Sequence, residues 1–312
     1  MFRVKDQTGN MVPVPRPQKG VFEGNGTPAA ACIRKRICSF SKRLVRIVQR
    51  LATVRVLDHR EVVEMYTGRR RVVYEKARQS LQATLLVEED ARLTTFVKCE
   101  KIAFTEEKPE PCPRIINPRR TRYNLILGSY IKHLEKPLFH AVHKVFGYKV
   151  ISKGLNANQT GQLMRDTWSR VCDPVAIRLD AKRFDQHVSY EALRWEHLIY
   201  TRLHPGEKEL KKVLKWQLEN KGVARFEDGV ARFQIRGMRM SGDMNTSLGN
   251  ILLMCGMMHT FITQMKTENE WCRDMRLLNN GDDCLLIVNK RAAQHVADAV
   301  QPYFLNFGFE ME

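Results

Sequence analysis

Residues 279–288 read NNGDDCLLIV, with two acids set between the polar run Asn279-Asn280-Gly281 and the apolar run Cys284 to Val288. Met275 to Leu278 is apolar on the other side, so the pattern predicts a β-hairpin whose tip carries Asp282 and Asp283. Taken alone, Gly281-Asp282-Asp283 marks nothing more than a surface turn. Its weight comes from what stands upstream. Val175 to Leu179 is a short apolar run closing at Asp180, Asp185 follows on the predicted turn, and Ser241-Gly242-Asp243 precedes Thr246, Ser247, Gly249 and Asn250. Three polar segments in one order, two of them ending predicted strands on acids, are hard to obtain by chance.

Those acids suit one chemistry in particular. In phosphoryl and nucleotidyl transfer the attacking hydroxyl, the pentavalent centre and the leaving pyrophosphate all carry negative charge. A pair of divalent cations about 3.5 to 4 Å apart neutralises it, and hard cations such as Mg²⁺ take carboxylate oxygens. A strand ending in Asp180 and a hairpin tipped by Asp282-Asp283 can meet at the open end of one sheet.

Outward from these segments, Ser189 is placed to cap a helix running through Arg202, and Glu207 to Asn220 reads as another. Ala224 to Phe226 and Ala231 to Ile235 flank the turn signal Asp228-Gly229 as a second hairpin. A long apolar helix is predicted from the Met240–Asn245 loop to about Gln264. Further upstream, Leu125 to Val145 reads as a helix, 109–118 as a proline-punctuated loop, and 93–104 as a strand. Ile33 to Leu86 reads as two basic helices, and the Pro- and Gly-rich residues 1–30 as an extended arm lying over another surface. The palette is α+β, antiparallel strands with helices on one side.

A 312-residue chain with 43% hydrophobic residues can bury a sizeable core, in one large domain or two packed subdomains. The net charge is +18 and the pI about 9.7, which favours a polyanionic partner. Residues 1–150 hold 30 Lys+Arg against 14 Asp+Glu, and residues 151–312 hold 22 against 20. The first half is therefore the electrostatic footprint on a phosphate backbone, and the second half is free to gather acids. Arg69-Arg70-Arg71 reads first as a solvated helix face, with phosphate contact as the alternative. The eight cysteines form no C-x-x-C pair and His133, His140 and His143 have no fourth partner in view, so neither a disulfide scaffold nor a zinc cage is expected. No apolar run approaches the roughly 20 residues that cross a bilayer, and the N-terminus has no signal-peptide core.

RLDAKRFDQHVS (178–189), MSGDMNTSLGNILLM (240–254) and NNGDDCLLIV (279–288) closely resemble motifs A, B and C of positive-strand viral RNA polymerases. They are most like those of the replicases of the tombusvirus family and their relatives. FVKCEKI (96–102) and PRIINPRRTRYN (113–124) resemble motif F and the segment after it, so the similarity spans roughly Thr95 to Glu312. The resemblance implies a right-hand fold with palm and fingers. Residues 1–30 would be an arm and 31–174 the basic fingers region with motif F. Residues 175–312 would be the palm, with a fingers segment inserted near 204–239 and the thumb missing or truncated. It also implies template-directed addition of ribonucleotides to an RNA 3′ end by a two-metal mechanism.

Residue by residue, Asp180 would bridge both Mg²⁺ (or Mn²⁺) ions, Asp282 would complete the site, and Asp283 would be a weaker ligand. Asp185 would accept a hydrogen bond near the ribose 2′-hydroxyl, with Thr246 and Asn250 facing the same spot. Ser241 and Gly242 would form the flexible loop before the helix, Ser241 binding the nucleotide and Gly242 allowing close backbone approach of the template RNA or nucleotide. Lys98, Lys101 and Arg114 would line the nucleotide channel, and Arg119 and Arg122 would assist at the RNA. The family's motif D carries a lysine where this chain reads FGFEME, so the general acid lies elsewhere, the alignment slips, or the sequence is a fragment. The implied partners are single-stranded template, nascent RNA, NTPs and other viral replication proteins, in membrane-associated complexes of the host cytoplasm reached through those partners. An RNA-binding protein without synthesis and a reverse transcriptase remain as competing classes. Asp185 argues against the latter, which places a bulky aromatic at the sugar.

Overall fold

The computed structural model describes residues 3–5, 11–13, 33, 36–100, 114–226 and 229–311. Within the expected arm, β1 (Arg3–Lys5) and β2 (Met11–Pro13) pair antiparallel, and Arg3 also pairs with Arg232. The rest of residues 1–30 falls outside the described residues.

Three helices follow where the sequence predicted two: α1 (Cys38–Leu51), α2 (His59–Glu64) and α3 (Gly68–Ala83). The extra boundary is a capping box. The Asp58 carboxylate accepts from Arg60 N at 2.7 Å while Glu61 reaches back to Asp58 N at 2.8 Å, which starts a new helix there. α1 buries Phe40, Leu44, Val45 and Val48 and turns Lys42, Arg43, Arg46 and Arg50 outward. Arg69, Arg70 and Arg71 are exposed on the first turn of α3.

β3 (Leu93–Val97) and β4 (Ile115–Ile116) come next, then α4 (Thr121–Ile131) and α5 (Glu135–Phe146), separated by a 3₁₀ turn at Lys132–Leu134. One helix was expected here. The break falls just ahead of Pro137, which sits in the first turn of α5, where its missing N–H leaves no intrahelical bond unmade. α6 (Ala157–Trp168) leads to β5 (Pro174–Leu179) and the single turn α7 (Phe184–His187). α8 (Tyr190–Leu203) is capped by Ser189, whose Oγ accepts from Ala192 N at 3.2 Å. Then come α9 (Lys208–Trp216), the hairpin β6 (Glu219–Phe226) and β7 (Gly229–Arg236), and α10 (Thr246–Glu268). β8 (Arg276–Asn280), β9 (Asp283–Asn289) and α11 (Ala293–Leu305) complete the described elements.

The strands form two sheets, ordered β2-β1-β7-β6-β3-β4 and β5-β9-β8. The second is antiparallel, as expected. The first is mixed, because β3 and β6 run parallel with Leu93 opposite Gly222. A parallel pair needs a long crossover, and the helices α4 to α9 lie between these two strands.

α10 is mostly apolar, and it buries every residue from Leu248 through Met258 and then Phe261, Ile262 and Met265, leaving Thr263 and Gln264 exposed. It runs through the main core, in contact with Phe40 of α1, Trp195 of α8 and Tyr303 of α11, so residues before and after 175 share one continuous apolar interior. Gly256 permits the close approach: a Cβ there would stand 3.3 Å from Phe40 and 3.4 Å from Trp195.

Candidate active site

Strand register decides which acids meet. β5 pairs with β9 from Pro174 opposite Asn289 to Leu179 opposite Cys284, and β8 pairs with β9 up to Asn280 opposite Asp283. β9 is therefore the middle strand. The residue after Leu179 and the residues before Cys284 share one open end, which places Asp180 beside the Asp282-Asp283 tip. Gly281 makes the turn at φ +96°, a region that disfavours a side chain. Asn279 braces it from below: its buried amide donates to Gly281 O at 2.7 Å and accepts from Gly281 N at 3.2 Å.

Burial pushes the Asp282 carboxyl above its usual range, and the negative charges of Asp185, Asp283 and Asp180 push the same way. Three carboxylates thus act on a fourth. Asp180 also meets Arg178 at 3.4 Å, an exposed pair of little energetic weight. Among the described residues no three Asp, Glu, His or Cys side chains form a ready-made cation cage. The donor chemistry nevertheless fits a hard divalent cation, since the groups are oxygen-only and repel each other until a positive charge enters.

Asp185 lies in the single turn α7, just after Arg183, which adopts a left-handed conformation at φ +50°. Its Oδ2 accepts from Ser241 Oγ and its Oδ1 from Asn250 Nδ2, both at 2.8 Å. Its backbone carbonyl takes Arg239 N at 2.8 Å. Asp185, Ser241 and Asn250 are therefore brought together. Thr246 is not part of that triad. Its hydroxyl donates to Met240 O at 2.9 Å and Asp243 O at 3.0 Å, closing the loop onto the first turn of α10. Gly242 sits at φ +116° and a Cβ there would come within 3.1 Å of Pro118 Cα, while Asn117 N donates to Ser241 O at 3.0 Å. The Met240–Asn245 loop thus leans on the segment that follows β4.

The cations divide into two groups. Lys98 and Arg114, at the ends of β3 and β4, meet around Glu100 at 2.6 and 3.6 Å and stay solvent-accessible. Lys101 lies outside the described residues. Arg119 and Arg122, expected at the RNA, are turned inward. The Arg119 side chain is 1% exposed; its Nε donates to Asp243 Oδ1 at 2.6 Å, Nη1 to Ala91 O at 2.7 Å, and its plane covers Tyr123. Arg122 binds Asp90 at 3.2 Å, Ser80 Oγ at 2.6 Å and the carbonyls of Thr84 and Leu85. Both direct their donors into the protein.

Behind the triad lies a buried polar network that no sequence motif marks. Arg239 Nε donates to Asn250 Oδ1 at 2.9 Å and its Nη2 to Glu196 Oε2 at 2.5 Å, both side chains being 1% exposed. Glu196 Oε1 accepts from Tyr200 and Asn245 at 2.7 and 2.6 Å. Gln217 carries the chain onward, donating to Asn245 at 2.8 Å and to Asp243 at 3.1 Å. Burial works to raise the Glu196 carboxyl, but Arg239 overcomes it and holds the group below the usual carboxylate range. One signal was available: Glu196 stands on the apolar stripe of α8 between Leu193 and Tyr200, where a charge is tolerated only with a partner.

Comparison with known proteins gives one result. The family profile described as viral RNA dependent RNA polymerase matches residues 1–312. The RNA-directed RNA polymerase of Cucumber necrosis virus is 42% identical over 307 residues, 98% of this chain and 35% of that protein. That of Tobacco necrosis virus (strain A) is 45% identical over 247 residues, 79% of this chain and 33% of the relative. That of Turnip crinkle virus is 38% identical over 310 residues, 99% and 37% respectively. The chain spans about a third of the length of the curated relatives it matches.

Proposed function

The chain belongs to the family of viral RNA-dependent RNA polymerases, and we propose that it carries the centre at which ribonucleotides are added to an RNA 3′ end on a single-stranded template. The observation that supports this most is the register of Leu179 on Cys284, which sets Asp180 beside Asp282 and Asp283 while Asp185 stands within electrostatic reach of Asp282.

Asp180, Asp282 and Asp283 would hold Mg²⁺ or Mn²⁺. When bound, the cations supply charge neutralisation for the attacking hydroxyl and the pyrophosphate. The protein's own groups do the rest. Asp185 commits one lone pair of each oxygen to Ser241 and Asn250, which leaves acceptor capacity for a sugar hydroxyl. A deoxyribose would leave that capacity unmet in a partly buried site, which disfavours it. Lys98, Lys101 and Arg114 would meet the triphosphate, Lys98 and Arg114 exchanging Glu100 for phosphate oxygens. Arg119 and Arg122, with their donors engaged internally, would hold the fold under the RNA rather than touch it.

In this reading residues 31–174 supply basic fingers and 175–312 a palm, with 204–239 lent to the fingers. Nascent RNA, NTPs and other viral replication proteins would be its partners, at membrane-associated complexes in the host cytoplasm. Among the described residues no helix is long and apolar enough to cross a membrane.

The test is incorporation of labelled ribonucleotides on a single-stranded RNA template with Mg²⁺ or Mn²⁺, comparing this chain, its Asp282→Asn form and a polypeptide extended past Glu312. Synthesis lost in Asp282→Asn establishes the reading. Silence from both the chain and its extension, with RNA binding retained, replaces it with an RNA-binding role.

A further inference from the structure

Asp185 can read a sugar hydroxyl only while its carboxylate points one way, and the two donors that orient it differ in how they are held. Ser241 lies in a partly exposed loop, whereas Asn250 is buried on α10. An amide has one accepting and one donating end. Asp185 requires the donating end, and Arg239 Nε–H occupies the accepting end at 2.9 Å. Arg239 is itself fixed by Glu196, and its backbone N–H holds the Asp185 carbonyl. The Asp185 carboxylate is thus tied to a fully buried ion pair through a single amide.

Gly249 gives independent support. A Cβ on that residue would collide with the Arg239 guanidinium and both Glu196 oxygens, so the pair lies flat on the backbone of α10 one residue before Asn250. Glu196 Oε1 is also saturated by Tyr200 and Asn245, which leaves the carboxylate no freedom to swing. Groups held this way keep a site within the few tenths of an ångström that discrimination needs.

We propose that the Arg239–Glu196 pair is the positioning device for sugar selection: it pins Asn250, Asn250 pins Asp185, and loosening the pair lowers the preference for ribo- over 2′-deoxyribonucleotides. The inference rests on the reading of Asp185 as the sugar-contacting group. A pair that merely stabilised the fold would, when weakened, reduce synthesis from both nucleotide types alike.

The experiment measures kcat/KM for a ribonucleoside triphosphate and its 2′-deoxy counterpart in the full-length protein. The variants are Arg239→Lys, Glu196→Gln, Gly249→Ala and Asp185→Ala. The ratio of the two values does not depend on how much enzyme is folded, so partial unfolding lowers the signal without moving the result. Gly249→Ala displaces the pair without changing a charge and serves where a charge variant fails to fold. The expected result is a ratio lowered by about tenfold or more in Asp185→Ala and in the pair variants alike. A ratio lowered by Asp185→Ala but within twofold of wild type in the pair variants overturns the inference and leaves the reading of Asp185 standing. An unchanged ratio in Asp185→Ala overturns both.

Discussion

Leu179 lies directly opposite Cys284 in the antiparallel pairing of β5 with β9, and this one position sets which carboxylates share the end of the sheet. A slip of a single residue would turn every side chain of β5 to the other face and carry Asp180 away from Asp282 and Asp283. The apolar residues Leu179 and Cys284, both buried, hold the register that the acids need.

Asp282→Asn is expected to abolish ribonucleotide incorporation by at least about a hundredfold while leaving the melting temperature unchanged or slightly raised. The carboxylate is opposed by burial and by three neighbouring acids, so a neutral isostere relieves repulsion in the folded state. Synthesis rates and thermal melts of the same preparation check it, and a strongly lowered melting temperature would contradict that repulsion.

Arg119→Ala is expected to cost about 3–5 kcal/mol, because it strands Asp243 as a buried charge with its partner gone. Replacing both, as Arg119→Met with Asp243→Leu, should cost clearly less than the two single changes summed. Urea unfolding of the four proteins gives the coupling directly. A cost below about 1 kcal/mol for Arg119→Ala, the range of a surface pair, would mean the arginine is not held in a buried pair.

Acid should destabilise the protein through His197. Burial holds this imidazole at about 4, against an ordinary 6.5, despite the attraction of Glu196. Its folded value lies below its unfolded value, so between pH 6.5 and 4 the unfolded chain binds the proton and the folded one does not. The neutral-ring stability is complete above 6.5 and is lost as pH falls, by about 3 kcal/mol across the window. His133 and His143 are lowered in the same direction, so His197→Gln should reduce the slope without removing it. Denaturation midpoints at several pH values between 7.5 and 5 measure this.

Two glycines with positive φ should respond differently to alanine. Gly281, at φ +96°, has open space around its missing Cβ, so Gly281→Ala costs only backbone strain of about 1–2 kcal/mol. Gly237, at φ +77°, would place a Cβ 2.7 Å from Tyr190 N, a backbone atom that cannot step aside. Gly237→Ala is therefore expected to unfold at lower denaturant than Gly281→Ala, and the reverse order would refute the close packing of Gly237 on the start of α8.

What could be read along the chain were features decided by residues close together. Asp282-Asp283 at a hairpin tip, Ser189 as a helix cap and the long, mostly apolar α10 follow from local turn chemistry and periodicity. The split at Asp58 is equally local, but its capping box hides inside a basic run. The class of chemistry was legible for the same reason, since acids, turn residues and their order lie in short segments.

Tertiary structure alone decided the rest, because the deciding partners are far apart in sequence. Arg119 looks like a surface cation until Asp243, 124 residues away, draws it inside. Arg239 and Glu196, 43 residues apart, carry no motif, yet they stand behind Asp185. The parallel run of β3 on β6 likewise depends on how six intervening helices return the chain to the sheet. Local pattern thus determined which groups are present and at which ends of which elements. Long-range burial determined which charges are solvated and which are neutralised inside, because only packing reveals where water has been excluded.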